Sequence, residues 1–364
     1  MRILYGVVGE GMGHATRSRV VIEHLVSRGH EVEVVVSGRA HDYLKARERD
    51  RLGVNRIWGL HIVYEDNEVR NFRTVLSNLK DAVTGGWPRN VLEYFKVAED
   101  FHPDVVVSDF ETWSYLYARR HRLPVVSLDN IQILSRCTHP PEVLAGHEID
   151  FQLAKAVVKG KLPSAFQYLI TSFFFPPVRK PRTSVHPPVL RPEILAARSE
   201  PGDHLLVYQT STSSEDLPAI LRATGVPCRV YGFRRDLTEE LVDGEVRYRP
   251  FSEQGFVEDL RTARAVVANG GFTLLSESVY LHKPVLASPV KKQFEQVLNA
   301  RYLEMLGYGM EAEALTNERL GAFLERLPEL EAKVSTYAQD GNTEMLAALD
   351  GVLERARGVE AEYA

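Results

Sequence analysis

From Ala265 to Ala300 the chain reads AVVANGGFTLLSESVYLHKPVLASPVKKQFEQVLNA, and this stretch holds residue types that could do chemistry. It predicts an apolar strand, a tight Asn269-Gly270-Gly271 turn, a helix, a second strand at Pro284–Ala287, a loop and another helix. Free N–H groups and the positive end of the helix dipole after the turn make a seat for a phosphate. Glu277 follows along that helix, within reach of a sugar hydroxyl once phosphates are docked. Gln293, Glu295 and Gln296 precede and open the next helix, and polar groups of this kind suit a hydroxyl-rich ligand. A phosphate cradle, a carboxylate and a group of amides together fit a nucleotide sugar. The plainer reading is that Gly-Gly is ordinary strand-to-helix connection chemistry and Glu277 a solvated helix residue. The order of the elements, rather than any single residue, favours the ligand site.

A second group is GEGMGHATRS, Gly9 to Ser18, after the first apolar run. Glycines at alternate positions, Gly11 and Gly13 among them, let backbone approach a ligand closely. His14 at the helix start is placed to act as a general base; the alternative is a histidine bonded inside a tight turn. The spacing is G-x-G-x-G, not the dinucleotide G-x-G-x-x-G, and the second strand ends in Val-Ser-Gly-Arg rather than an acidic residue. That argues against NAD and leaves NADP, through Arg39, as an outside alternative. In PDVVVSDFETW, Asp109 and Glu111 stand at the C-terminal end of a strand, the functional edge of a parallel sheet. Asp109 there could orient His14 as a dyad, with Glu111 a reserve base. Asp-x-Glu lacks a second oxygen cluster, so no metal site is expected. QTSTSS supplies Gln209, Thr210, Ser211 and Thr212, hydroxyls and N–H groups for phosphate oxygens.

These residues must be held by a framework, and the chain is long enough to build one. Its 364 residues suffice for two domains of ordinary size. The composition, 44% hydrophobic and 26% charged, is that of a soluble globular protein, and a net charge of −5 gives no footprint for nucleic acid. Cys137 and Cys228 form no CxxC pair, and no apolar run approaches a membrane span, so a soluble, cytoplasmic protein is expected. Strands are expected at Ile3–Val8, Glu31–Val36, Asn55–Leu60, Val105–Ser108 and Val125–Leu128, with helices from about Thr16 to Arg28 and after Glu111. A second set runs His204–Tyr208, Pro227–Tyr231, Val246–Arg249, Ala265–Ala268 and Val285–Ala287. Strands alternating with helical patterns predict parallel sheets. The expected division is 1–185, a proline-rich linker at 186–203, 204–340, and a C-terminal helix at 341–364. In YLITSFFFPPVRKP the aromatic run reads as a buried strand, Leu169–Phe174, closing the first sheet. The alternative is a peripheral membrane patch with Lys155, Lys159, Lys161, Arg179 and Lys180 around it.

Taken together, these segments resemble the GT-B nucleotide-sugar glycosyltransferases, relatives of the lipid II GlcNAc transferase and of UDP-glucosyl and glucuronosyl transferases. The likeness runs through almost the whole chain. It implies an α/β protein of two Rossmann-like domains facing a central cleft, the acceptor in the first and the donor in the second. Gly13-His14 matches the family's Gly-His, with the histidine deprotonating the acceptor hydroxyl and Asp109 orienting it. Gln209 to Thr212 match a donor loop, and Arg249 to Ser252 a base-recognition segment in which Phe251 contacts the base through its backbone. Gly270, Gly271 and Phe272 match the diphosphate turn, with Glu277 on the ribose, and Glu295-Gln296 match the donor-sugar pair. Asn269 stands where many members carry histidine. The resemblance implies inverting transfer from a UDP-sugar to a hydroxyl on a lipid or small molecule, with no metal or cofactor. A nucleotide-sugar hydrolase or epimerase of the same fold, which the Gly-His-x-x-Arg of His14 and Arg17 resembles, and a non-catalytic nucleotide-binding regulator stay open.

Overall fold

The computed structural model describes residues 1–9, 11–57, 64–65, 68–69, 95–209 and 216–360. Thr210, Ser211 and Thr212 therefore lie outside the described residues. Runs of β-branched residues, such as Val105–Val107 and Val125–Val126, form strands buried on both faces, as parallel sheets covered by helices require. The first sheet contains β1 (Arg2–Val7), β2 (Glu31–Val36), β3 (Leu52–Arg56), β4 (Val105–Asp109), β5 (Val125–Asp129), β6 (Gln167–Thr171) and β7 (Thr183–His186). Their spatial order is β3-β2-β1-β4-β5-β6-β7, and every pairing is parallel.

The second sheet contains β8 (Leu205–Tyr208), β9 (Cys228–Tyr231), β10 (Leu241–Asp243), β11 (Val246–Tyr248), β12 (Ala265–Ala268), β13 (Val285–Ala287) and β14 (Gly309–Glu311). Its order is β10-β11-β9-β8-β12-β13-β14, parallel except for the β10–β11 pair. In both sheets the strand order reverses beside the first strand of the half, between β1 and β4 and between β8 and β12. Ligands of open α/β sheets bind at such switch points, outside the carboxyl ends of the strands. His14 and Asp109 flank the first switch point; Gln209 and Asn269 flank the second.

Several boundaries differ from the sequence expectation. The helix expected from Thr16 begins at Met12. The third strand runs Leu52–Arg56, beginning before the expected Asn55, and residues 58–60 of that expectation lie outside the described residues. The strand expected at Leu169–Phe174 ends at Thr171, and β7 rather than this run forms the sheet edge. Phe173 and Phe174 are buried nonetheless, packed as ring contacts after the strand has ended.

The halves share a core. Phe173 stacks on Phe272 with centroids 6.1 Å apart, and Phe174 stacks on Tyr302 at 4.0 Å. The C-terminal helix Thr343–Ala356 returns to the first half, where Met345, Leu349, Val352 and Leu353 join the core under the first sheet. The chain thus crosses between the halves twice. Asn342 clasps the crossings together, accepting from Leu190 N at 2.8 Å and donating to Leu190 O at 2.7 Å.

Candidate active site

Helix α1 (Met12–Ser27) leaves β1 through Gly11, whose φ of +88° is open to glycine at little cost. Gly13 is a glycine for a second reason: a Cβ there would lie 2.4 Å from Oγ1 of Thr273. Thr273 belongs to α5 (Phe272–Tyr280), the helix that follows the Asn-Gly-Gly turn. Two helix N-termini, one from each half, therefore converge across the cleft, and among the described residues no side chain caps either of them. Their unspent N–H groups and dipoles make a positive field for an anion.

His14, with a side chain 16% exposed, sits at this junction and its Nδ1 is 2.8 Å from Oδ1 of the fully buried Asp109. Asp109 also accepts from Arg17, Nη2 to Oδ1 at 2.5 Å and Nε to Oδ2 at 3.2 Å, and from Ser18 Oγ at 2.9 Å. Burial alone would raise the Asp109 carboxyl; the charges of Arg17 and His14 and their hydrogen bonds outweigh it and hold the group at about 2. Arg17 Nη2 also lies 2.9 Å from His14 Nδ1, so carboxylate and guanidinium favour opposite tautomers of the ring. The ionised carboxylate is the stronger acceptor. With Nδ1–H donating to Asp109, Nε2 is the ring nitrogen left with a lone pair.

The turn that delivers Asp109 is sharp. Phe110 has φ of +56°, a left-handed conformation that costs a non-glycine residue about 1–2 kcal/mol. It directs Asp109 into the cleft and Glu111 away from it. Both Glu111 oxygens cap helix α2 (Thr112–His121), accepting from Trp113 N and Ser114 N at 2.7 Å each. Glu111 is a cap, not a reserve base.

Arg17 Nη1 donates to Asn130 Oδ1 at 2.9 Å, and Asn130 Nδ2 donates to Glu295 Oε1 at 2.6 Å. Asn130 thus joins the histidine cluster of the first half to the first turn of α6 (Phe294–Met305) in the second. Asp129, beside it, is fully buried. Burial, and then the negative charge of Asp109, push its carboxyl up to about 6.

The second half brings its expected residues to one edge. Gln209 follows β8 and Asn269 follows the adjacent β12, since Tyr208 pairs with Ala268. Among the described residues Gln209 Oε1 and Asn269 Oδ1 are buried without a hydrogen-bond partner. Amides can turn about, so the pair offers acceptors to a ligand hydroxyl or donors to a phosphate oxygen. Gly270 must be glycine, because a Cβ would fall 2.3 Å from Gln296 O; Asn299 Nδ2 holds Gly270 O at 3.0 Å.

Other expected contacts are arranged differently. Glu277 is 2% exposed, not solvated, and both its oxygens are engaged by Arg191 of the linker, at 2.7 and 2.9 Å. Arg191 also pairs with Glu253, and Arg19 of α1 with Glu193 and Glu253, so a charge ladder runs from the first half through the linker to α5. Gln296 accepts from Val290 N at 3.0 Å and donates to Gln293, which spends its amide on its own loop. The Phe272 ring is core, and Phe251 is 73% exposed. Sequence reasoning gave no role to Ser18, Asn130 or Arg191. Asn130 carried a usable signal, since it follows Val125–Asp129 at the same strand edge as Asp109.

The model of glycosyl transferase family 1 matches residues 1–328. A Methanosarcina acetivorans protein described as an uncharacterized glycosyltransferase is 23% identical over 346 residues, covering 87% of this chain and 84% of its own. Among solved structures, the glycotransferase of kitacinnamycin superposes with a TM-score of 0.68 at 17% identity, over 98% of this chain and 97% of that one. A UDP-glucosyltransferase from Polygonum tinctorium capable of glucosylating indoxyl gives 0.66 at 14% identity, over 97% and 98%. Two mostly parallel α/β sheets are the GT-B arrangement, and the chain belongs to glycosyl transferase family 1: it is a glycosyltransferase.

Proposed function

We propose that the protein is an inverting glycosyltransferase that moves a sugar from a nucleotide sugar, UDP-linked, to a hydroxyl on a lipid or small-molecule acceptor. The observation that carries this reading is the His14–Asp109 pair at the junction of two uncapped helix N-termini. His14 Nε2 takes the acceptor proton as its oxygen attacks the anomeric carbon, and the bond to the diphosphate breaks on the opposite face. Asp109 stabilises the imidazolium that forms. The leaving diphosphate gains negative charge, which the N-termini of α5 and α1 offset without a metal. Glu295, held by Asn130, binds the sugar hydroxyls, and Glu277 shares its carboxylate between Arg191 and the ribose. The diphosphate turn of Gly270, Gly271 and Phe272 acts through its backbone, as does Phe251 at the base.

The test is release of UDP from a panel of UDP-sugars in EDTA, with and without hydroxyl-bearing acceptors. Transfer requires release that depends on acceptor. Release at one rate regardless of acceptor would make the protein a hydrolase, and binding without release a regulator.

A further inference from the structure

Helix α3 (Glu148–Lys161) carries apolar side chains on two opposed faces. Phe151 and Val158 point into the core, with the Phe151 ring 5.4 Å from that of Phe294 at the start of α6. Ile149, Leu153 and Val157, spaced one turn apart, lie on the other side and are 85%, 54% and 54% exposed. A surface helix ordinarily turns charge to water there. The loop after β6 adds Phe175 and Val178, at 57% and 43%. The aromatic run whose first part is core therefore ends in exposed side chains.

Cations gather beside this surface. Lys159 and Arg179 are exposed, Lys155 and Lys180 half-buried, and among the described residues no carboxylate pairs with any of the four. The loop and helix share one surface: Arg179 N donates to Arg136 O at 3.0 Å and its Nη2 to Ser135 O at 2.9 Å, and α3 packs on the Ile133–Arg136 turn. Partial burial first, then Arg179 and Lys159, lower the Lys155 ammonium; burial, then Arg136, Arg179, Lys159 and Lys155, lower that of Lys180. In a chain of net charge −5 such an unneutralised cluster beside exposed leucine and phenylalanine is a local arrangement, not a consequence of composition. Apolar side chains to enter the acyl boundary, with cations to meet anionic headgroups, are what an interfacial helix needs.

We propose that α3 and the 175–180 loop dock the protein on an anionic lipid bilayer. The helix lies in the interface plane, its inner face against α6 and its last turn against the loop carrying Asp109, where Lys161 Nζ sits 4.1 Å from the Phe110 ring centroid. Docking therefore sets the cleft beside the membrane. That a lipid-borne hydroxyl is glycosylated there rests on the proposed transfer reaction; the docking itself does not.

The experiment is co-sedimentation of the full chain with phosphatidylcholine vesicles, alone or with roughly a third phosphatidylglycerol. The protein should sediment with the anionic vesicles and be released by salt. Lys159→Gln and Lys180→Gln should each weaken binding about fivefold, and Leu153→Glu with Val157→Glu should abolish it. Val242→Glu, on an exposed apolar residue in β10, is the matched control and should bind as wild type. Circular dichroism melts check that each variant is folded. Failure of wild type to sediment at low salt would overturn the proposal, as would equal loss in the Val242 control. A dimer that Leu153→Glu with Val157→Glu dissociates, with no vesicle binding, would assign the face to a second copy instead. Because sedimentation reads no turnover, its outcome is independent of whether transfer occurs.

Discussion

The two switch points are built to opposite rules. Around His14 in the first half, Asp109, Arg17, Ser18 and Asn130 satisfy one another through short side-chain bonds before any ligand arrives. In the second half, Gln209 and Asn269 hold buried amide oxygens with no partner among the described residues. In the proposed reaction His14 moves a proton, and a group with that task must be fixed to within a fraction of an ångström, which a closed, rigid surround provides. On the proposed donor edge, unpaired polar groups offer what a ligand lacks, and they weaken the empty protein.

His14→Ala is the largest test of that contrast. Turnover should fall by about 10²- to 10⁴-fold with donor binding nearly intact, measured as initial rate beside a UDP titration. Loss of UDP binding instead would make the first loop part of the donor edge, and full activity would make His14 a structural turn residue.

Asp109→Asn comes next and is now expected to cost stability as well as rate, because it leaves the Arg17 guanidinium buried beside a neutral amide. Loss of about 3–5 kcal/mol in denaturant unfolding is the range for stripping one partner from a buried pair. Unchanged stability would mean that Arg17 moves freely to another acceptor and that the cluster is not rigid.

On the open edge the effect should be smaller and of two signs. Asn269→Ala should weaken UDP binding about two- to tenfold while leaving the empty protein as stable or more so, since an unpaired buried polar group is removed. If stability drops and affinity holds, the amide is structural and the contrast fails.

The smallest effect separates the closed cluster's own charges. Asp129 has its carboxyl raised from an ordinary 3.8 to about 6, so the folded state favours the protonated form. That contribution is whole below pH 4 and lost as pH rises through 6, where an ionised Asp129 faces Asp109. Asp129→Asn should therefore raise Tm at pH 8 and leave it unchanged at pH 4. Asp109, lowered to about 2, has the opposite sign: its contribution is present above pH 4 and lost as pH falls through 2.

How much of this could be read from residues alone follows the same divide. Strand runs, glycine loops and the edge positions of His14, Asp109 and Asn269 are local patterns, carried by periodicity and turn chemistry. Glu111, a carboxylate two residues from Asp109, looks catalytic in the sequence, and only the left-handed Phe110 sends it the other way. Glu277 and Arg191 are 86 residues apart, and Asn130 and Glu295 165 apart. Pairings over such separations leave no local trace. The doubled use of α3, apolar inside and out, is visible in spacing but has meaning only once one face is seen to be buried.

The clasp between Leu190 and Asn342 has a mechanical consequence. Because both covalent crossings meet at this clasp, a rigid-body tilt of one half against the other would pivot there. Such a tilt would change the width of the cleft most at the rim farthest from the clasp.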